Sequence, residues 1–346
     1  MTKIDFSDIH DEELASAVDL AESDLTRAIG RDAVLVSSGL TALEIALQSA
    51  GVKQGDQVAC DAAYPFAGLA VRNVGAVPLF IDVDPNRDRL VIDHRRFDWL
   101  RGNGVNVAIF TAYFGDVWSY RYARERWAAC GGLSIEDRAQ AFEPVEPGSA
   151  AWITYSFQSS KLLSCGQGGA ISPPAHALGA CRRLRALGWW PRIGDSGSQW
   201  TSGWRDRSQG RSARLAPIAA LLLSGRLHHL EKIRASLREC ASKIVDALEA
   251  SNAAVLGRVP EHIGSRLAGA LVRDRSSRRI VEEALKRAGA VVGFAAHPPV
   301  NEWPAFLAPR SASLPCTSDV LSRLLCVPLR VEKEGHFSGA KHFSGG

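Results

Sequence analysis

A chain of 346 residues can bury a large core, and a composition 46% hydrophobic and 23% charged is that of an ordinary globular protein. The formal net charge of +4 is small for this length, and clusters such as Arg182-Arg183-Leu184-Arg185 carry no interleaved aromatics, which argues against nucleic acid as a partner. Seven cysteines without a Cys-x-x-Cys pair point away from zinc and from a disulfide framework, toward a reducing compartment. The opening Met1-Thr2-Lys3-Ile4-Asp5-Phe6 has no signal-peptide core and no stretch approaches membrane-spanning length, so a cytoplasmic protein with no membrane partner is expected.

In chain order, the acidic stretch 11–29 carries Leu14, Val18, Leu20, Leu25 and Ile29 at helical spacing. Val34-Leu35-Val36 reads as a short buried strand that runs through Ser37-Ser38-Gly39-Leu40-Thr41 into a helix over 42–47. Such a turn can offer unpaired N–H groups and a positive dipole end to a phosphate, although most such turns only connect elements. Strands are expected over 57–60, 77–83, 106–111, 132–135, 151–156 and 170–172, with helices over 66–74 and 120–130 among them. That alternation predicts an α/β sheet covered on both faces. Residues 188–210 break the pattern: Trp189, Trp190, Trp200 and Trp204 stand in a polar loop, either covering a ligand or anchoring the loop to the body or to a partner chain.

A helix from Leu215 to Leu230 and a second apolar period at Ile233, Leu237, Ile244 and Leu248 follow. A strand at 267–272, a helix at 280–287 and a strand at 291–295 then predict a smaller α/β domain. The expected organisation is a large domain over 1–251, a small one over 252–330 and a disordered Gly-, Ser- and His-rich tail over 331–346.

The chemistry is concentrated around one lysine. The segment Tyr155-Ser156-Phe157-Gln158-Ser159-Ser160-Lys161-Leu162-Leu163-Ser164-Cys165-Gly166-Gln167-Gly168-Gly169 sets Lys161 after a serine and before a glycine-rich turn. Upstream stands Ser134-Ile135-Glu136-Asp137-Arg138-Ala139-Gln140-Ala141. An apolar strand ending in an acid, then a hydroxyl-to-lysine loop, is what pyridoxal phosphate chemistry needs: an amine to form an imine, a carboxylate to keep the pyridine nitrogen protonated, and hydroxyl and backbone groups for the phosphate. Either piece alone would suit a solvated lysine or an ordinary strand-end acid; their order and spacing favour the cofactor. Cys165, beside the glycine loop, is expected to be a small buried residue.

At these residues the chain resembles the DegT/DnrJ/StrS family of sugar aminotransferases, and the likeness reaches nearly to Leu329. The resemblance implies the three-layer α/β/α, aspartate aminotransferase-like fold type I with a smaller C-terminal α/β domain. It implies Lys161 as the Schiff-base lysine, Asp137 as the pyridinium partner, Gln140 near the phenolic oxygen and Ser156 as a phosphate ligand. Leu40 and Thr41 fall in the phosphate-binding turn, and Tyr64 is the choice for the aromatic stacked on the ring, with a plain core aromatic as its alternative. Ser212 matches the family's Asn that reaches a phosphate across a homodimer interface, so shared active sites are implied. The chain departs from the pattern in reading Gly39-Leu40-Thr41 for Gly-Thr-Ala, Ser212-Ala213-Arg214-Leu215 for Asn-Tyr-Arg-Met, and Gln167 for an acid.

The resemblance implies an aminotransferase that moves an amino group from Glu or Gln to a keto sugar, a cyclitol or a related natural-product intermediate. Retention of the lysine argues against the family's dehydratase branch. The altered loops leave open a different pyridoxal phosphate reaction on an amino acid (elimination, substitution or condensation), and, less favoured, a non-catalytic cofactor-binding regulator.

Overall fold

Seven short strands, nearly all apolar and buried, form one sheet in the order β1-β7-β6-β5-β4-β2-β3. They are β1 (Val34–Val36), β2 (Gln57–Cys60), β3 (Val77–Phe80), β4 (Val107–Thr111), β5 (Leu133–Asp137), β6 (Trp152–Ser156) and β7 (Gly169–Ser172). The computed structural model describes residues 11–84, 90–147, 149, 151–187, 210–256, 262–274, 276–293, 297–306 and 313–329. Strands β3, β2, β4, β5 and β6 are mutually parallel, whereas β7 runs antiparallel to both β6 and β1. Continuous apolar runs are what a parallel sheet covered on both faces requires. The parallel ladder also brings the carboxyl ends of β2, β4, β5 and β6 to one edge, where open α/β sheets place their sites.

Helix α1 (Asp11–Ile29) buries Ala17, Ala21, Leu25 and Ile29, one residue every turn. Leu20, expected on that face, is half exposed, because the stripe is built on small alanines that let α1 approach α7 (Pro217–His228). On the sheet's flanks lie α2 (Gly39–Ser49), α3 (Pro65–Asn73), α4 (Phe97–Gly102), α5 (Arg121–Ala129) and α6 (Leu178–Arg185). The helix α4 had no expectation from the sequence; its six residues bury only Phe97 and Leu100, too few to show a period.

After α8 (Leu230–Ala250), a second sheet pairs β8 (Ala254–Leu256), β9 (Leu267–Leu271) and β10 (Leu324–Pro328) in antiparallel order β10-β9-β8. Helices α9 (Arg278–Arg287) and α10 (Pro315–Arg323) accompany it. The strand expected at 291–295 is not formed over its described part: Val291 is 60% exposed and Gly293 N–H donates to Cys326 O at 2.7 Å as a single contact beside β10. One continuous apolar core joins Ala17, Leu25 and Tyr155 of the large unit to Ala268, Ala270 and Val327 of the small sheet. Among the described residues no helix is long and apolar enough to cross a membrane.

Candidate active site

Asp137 ends β5 and is 4% exposed. Its Oδ1 accepts from Ala139 N–H at 2.9 Å, and its carbonyl accepts from Ala112 N–H at 2.8 Å. Burial pushes the carboxyl up to about 6; the Ala139 N–H and the Lys161 ammonium oppose that rise, and Asp61 adds to it. Lys161 lies in the loop after β6, its N–H donating to Gln158 O at 2.9 Å. Partial burial lowers its amine pKa, with Asp137 acting the other way. A lowered pKa enlarges the neutral fraction near pH 7, and the neutral amine is the form that attacks a carbonyl carbon. Each residue thus feels the other's charge.

Ser156 ends β6 and sits in register with Gly169 of β7, which is also paired with Val36. The chain leaves β1 at Val36 and enters α2 directly over Gly169, so a side chain at 169 would overlap the backbone of Ser38 and Gly39. Gly39 is held as closely: a Cβ there would lie 2.8 Å from Ser156 Cβ and 3.1 Å from its Oγ. The Ser156 hydroxyl thus stands against the first turn of α2. Ser38 caps that helix, its Oγ accepting from Thr41 N–H at 3.1 Å and lying 2.9 Å from Thr41 Oγ1. Of the two amides expected to hold a phosphate, that of Thr41 is engaged by the cap. The amides of Gly39 and Leu40 donate to no acceptor among the described residues.

Gln140 Oε1 accepts from Phe114 N–H at 3.2 Å, which fixes the amide's orientation and leaves its NH2 as a donor. Gln140, Ser156 and Lys161 line one small cavity with Gly264, Ser265 and Leu267 from the approach to β9. Tyr64, the residue before α3, has its ring 5.4 Å from that of Tyr113 and 5.5 Å from that of His297, and its hydroxyl 3.3 Å from Cys326 Sγ on β10. A larger groove of about 1050 Å³ along α9 and α10 lies outside this constellation and meets it at His297.

Ser212 is exposed and forms an isolated bridge with Ala186, while Ala213 O accepts from Ser37 N–H at 2.9 Å beside the turn into α2. The side chain of Arg211, one residue earlier, is paired with the buried Glu44 of α2. Trp189, Trp190, Trp200 and Trp204 lie outside the described residues. Cys165 is buried, as expected, against Gly168, and burial raises its thiol to about 11, leaving it a protonated packing group.

The sequence reading missed Asp61, Thr111 and Tyr113. Asp61 is fully enclosed just past β2 and accepts hydrogen bonds from Tyr113 Oη at 2.6 Å and Thr111 Oγ1 at 2.9 Å. Its signal was present: it directly follows the apolar run Val58-Ala59-Cys60, and strand-end acids mark the functional edge of a parallel sheet.

Residues 16–336 match the profile of the DegT/DnrJ/EryC1/StrS aminotransferase family. The chain belongs to this family. It is 34% identical over 147 residues to the L-glutamine:2-deoxy-scyllo-inosose aminotransferase of Streptomyces fradiae, a match covering 40% of this chain and 34% of that protein. The match thus spans about a third of the length of such a relative. The fold is shared with S. venezuelae DesV (TM-score 0.74, 21% identity, 93% of this chain and 90% of that one). It is shared likewise with ntda from Bacillus subtilis, solved with bound cofactor PMP (TM-score 0.74, 18% identity, 95% and 81% covered). These likenesses establish the fold-type-I architecture of this family member.

Pyridoxal phosphate is the cofactor that membership in the DegT/DnrJ/EryC1/StrS family implies, and the residues of this site fit it. A desolvated amine lies within electrostatic reach of a buried acid, and, among the described residues, the Gln140 amide donor and the N–H groups at the start of α2 beside the Ser156 hydroxyl have no acceptor. The glycine at 39 keeps open the space that a Cβ would fill.

Proposed function

We propose that this chain is a pyridoxal phosphate-dependent aminotransferase that takes an amino group from Glu or Gln and delivers it to a keto sugar, a cyclitol or a related natural-product intermediate. The observation that carries the reading is the convergence of Lys161, Asp137, Gln140, Ser156 and the first turn of α2 on the carboxyl edge of one parallel sheet. The similarity to an aminotransferase of a cyclitol ketone supports the acceptor class.

When bound, pyridoxal phosphate supplies an electron sink and a carbon that bonds reversibly to amines. Lys161 Nζ would be the amine that holds the cofactor, and once released it would serve as the base and acid that moves a proton at the substrate's reacting carbon. Asp137 would keep a proton on the cofactor's ring nitrogen through a charge-assisted hydrogen bond in a site shut off from water. Gln140 Nε2 would be the donor for the cofactor's phenolic oxygen. Ser156 Oγ and the amides around Leu40 would hold the phosphate, with Thr41 supporting them through its hydroxyl, and Tyr64 would pack on the ring. Ser212 reaches the partner's phosphate in a homodimer of shared sites, and the protein works in the cytoplasm. Residues 1–251 form the cofactor-binding domain and 252–330 the small one.

The test is stoichiometric. Cofactor-loaded protein mixed with Gln or Glu, without an acceptor, should release one equivalent of the matching 2-oxo acid per site. Release of no 2-oxo acid from any amino acid in a panel, with cofactor demonstrably bound, would overturn transamination in favour of another reaction on an amino acid.

A further inference from the structure

Asp61 has no part in the chemistry above, yet it is the second buried acid of the site. Its carboxyl accepts from Tyr113 Oη at 2.6 Å, Thr111 Oγ1 at 2.9 Å and Ala63 N–H at 2.9 Å. All three partners are donors, which suits an ionised carboxylate, and none is a cation. Thr111 is the register partner of Asp137 across β4 and β5, so Asp61 is one hydrogen bond from the residue paired with Asp137. Tyr113 opens a turn in which Phe114 and Gly115 are both left-handed, at φ 56° and 80°. For a buried phenylalanine that backbone is strained and persists only where neighbours hold it. Here Tyr113 is held by Asp61, Phe114 N–H by Gln140, and the Phe114 ring by contact with Gly269 of β9.

We propose that Asp61 is a positioning residue of the cofactor site: it fixes Tyr113 and the turn after β4, and it places a second negative charge beside Asp137 that favours a protonated ring nitrogen on the bound cofactor. This rests on the reading above in which Asp137 faces that nitrogen. The titratable groups around Asp61 are Cys60 and Tyr64 of its own segment, Tyr113 after β4, and Asp137 on β5 with Lys161 beyond it. Burial, with Asp61 adding to it, pushes Cys60, Tyr64 and Tyr113 upward, so all three stay neutral. Burial pushes the Asp61 carboxyl up as well, the hydrogen bonds from Tyr113, Ala63 and Thr111 oppose that rise, and a cationic ring nitrogen nearby would favour the ionised form of both acids.

The test compares cofactor-loaded wild type with Asp61→Asn. Asparagine keeps the bonds from Tyr113 and Ala63 through its Oδ1 and can donate to Thr111 Oγ1 through its Nδ2, so the charge goes and the shape stays. The pH midpoint of the 15N chemical-shift change of the ring nitrogen in 15N-labelled bound cofactor should fall by about one unit, the scale of a nearby buried charge. Cofactor affinity should weaken about tenfold, the equivalent of that shift. A midpoint equal to wild type overturns the proposal. Should Asp61→Asn fail to fold, Tyr113→Phe decides: losing the shortest bond to Asp61 favours its protonated form and should move the midpoint the same way, and an unmoved midpoint overturns the idea. Borohydride fixation of the cofactor on wild-type Lys161 separates the two readings. Its absence removes the parent function, whereas its presence with an unmoved midpoint removes only the role of Asp61.

Discussion

Replacing Asp137 with Asn should stabilise the cofactor-free protein, by an amount that grows with pH. Burial raises this carboxyl from 3.8 to about 6, so the folded chain holds the proton more tightly than the unfolded chain does. Such a group favours folding only while protonated. Its cost to stability begins near the unfolded value, increases as pH rises to about 6 and is complete above that, at about 3 kcal/mol. Asparagine is neutral throughout, fills nearly the same space, and can still accept the Ala139 N–H through its Oδ1. The stability gap between variant and wild type should therefore be about 1.5 kcal/mol at pH 5 and about 3 kcal/mol at pH 8. Urea unfolding of the two cofactor-free proteins at those pH values measures it directly. A gap that is constant or shrinks between pH 5 and pH 8 would refute the reasoning, since only ionisation of a buried acid makes it grow. Saturating cofactor should narrow the gap, because binding at a hundredfold excess over Kd adds about 2.7 kcal/mol to the wild type and less to a variant without the anion.

Lys161→Ala should abolish the borohydride-fixed pyridoxyl mass found on the wild-type Lys161 peptide, along with turnover; an adduct of equal yield elsewhere would show the wrong lysine was chosen. Gly39→Ala puts a methyl 2.8 Å from Ser156 Cβ and should cost on the order of 1–3 kcal/mol of stability while weakening cofactor binding, read by thermal unfolding and a cofactor titration. If its affinity and melting temperature match wild type, the close approach of α2 to β6 is not what shapes the phosphate site. Ser212→Ala should weaken cofactor affinity by only one hydrogen bond, about 1 kcal/mol. Light scattering of the loaded protein at micromolar concentration should give a dimer, and a fully active monomer would contradict a shared site.

The local sequence was enough to single out the candidate groups. An apolar strand closing on Asp137 and the serine-to-lysine loop that closes on Gly169 are short-range patterns, and their order along the chain already implies a strand edge, a loop and a phosphate turn. The apolar alternation likewise implied a covered α/β sheet, because period and composition are local properties. What the sequence left undecided depends on which strands become neighbours. Asp61 and Asp137 stand far apart in the chain and meet only because β4 is inserted between β2 and β5, so that Thr111 touches one acid and pairs with the other. The engagement of Thr41 N–H by Ser38, the orientation of Gln140 and the left-handed turn at Phe114 are equally products of packing. Residues 291–293 show the limit from the other side: an apolar run becomes a strand only if a neighbouring strand offers it a full ladder, and among these described residues only Gly293 bonds β10. Sequence determined the groups available for the reaction, and the tertiary fold decided their protonation, because burial and the proximity of distant charges are long-range effects.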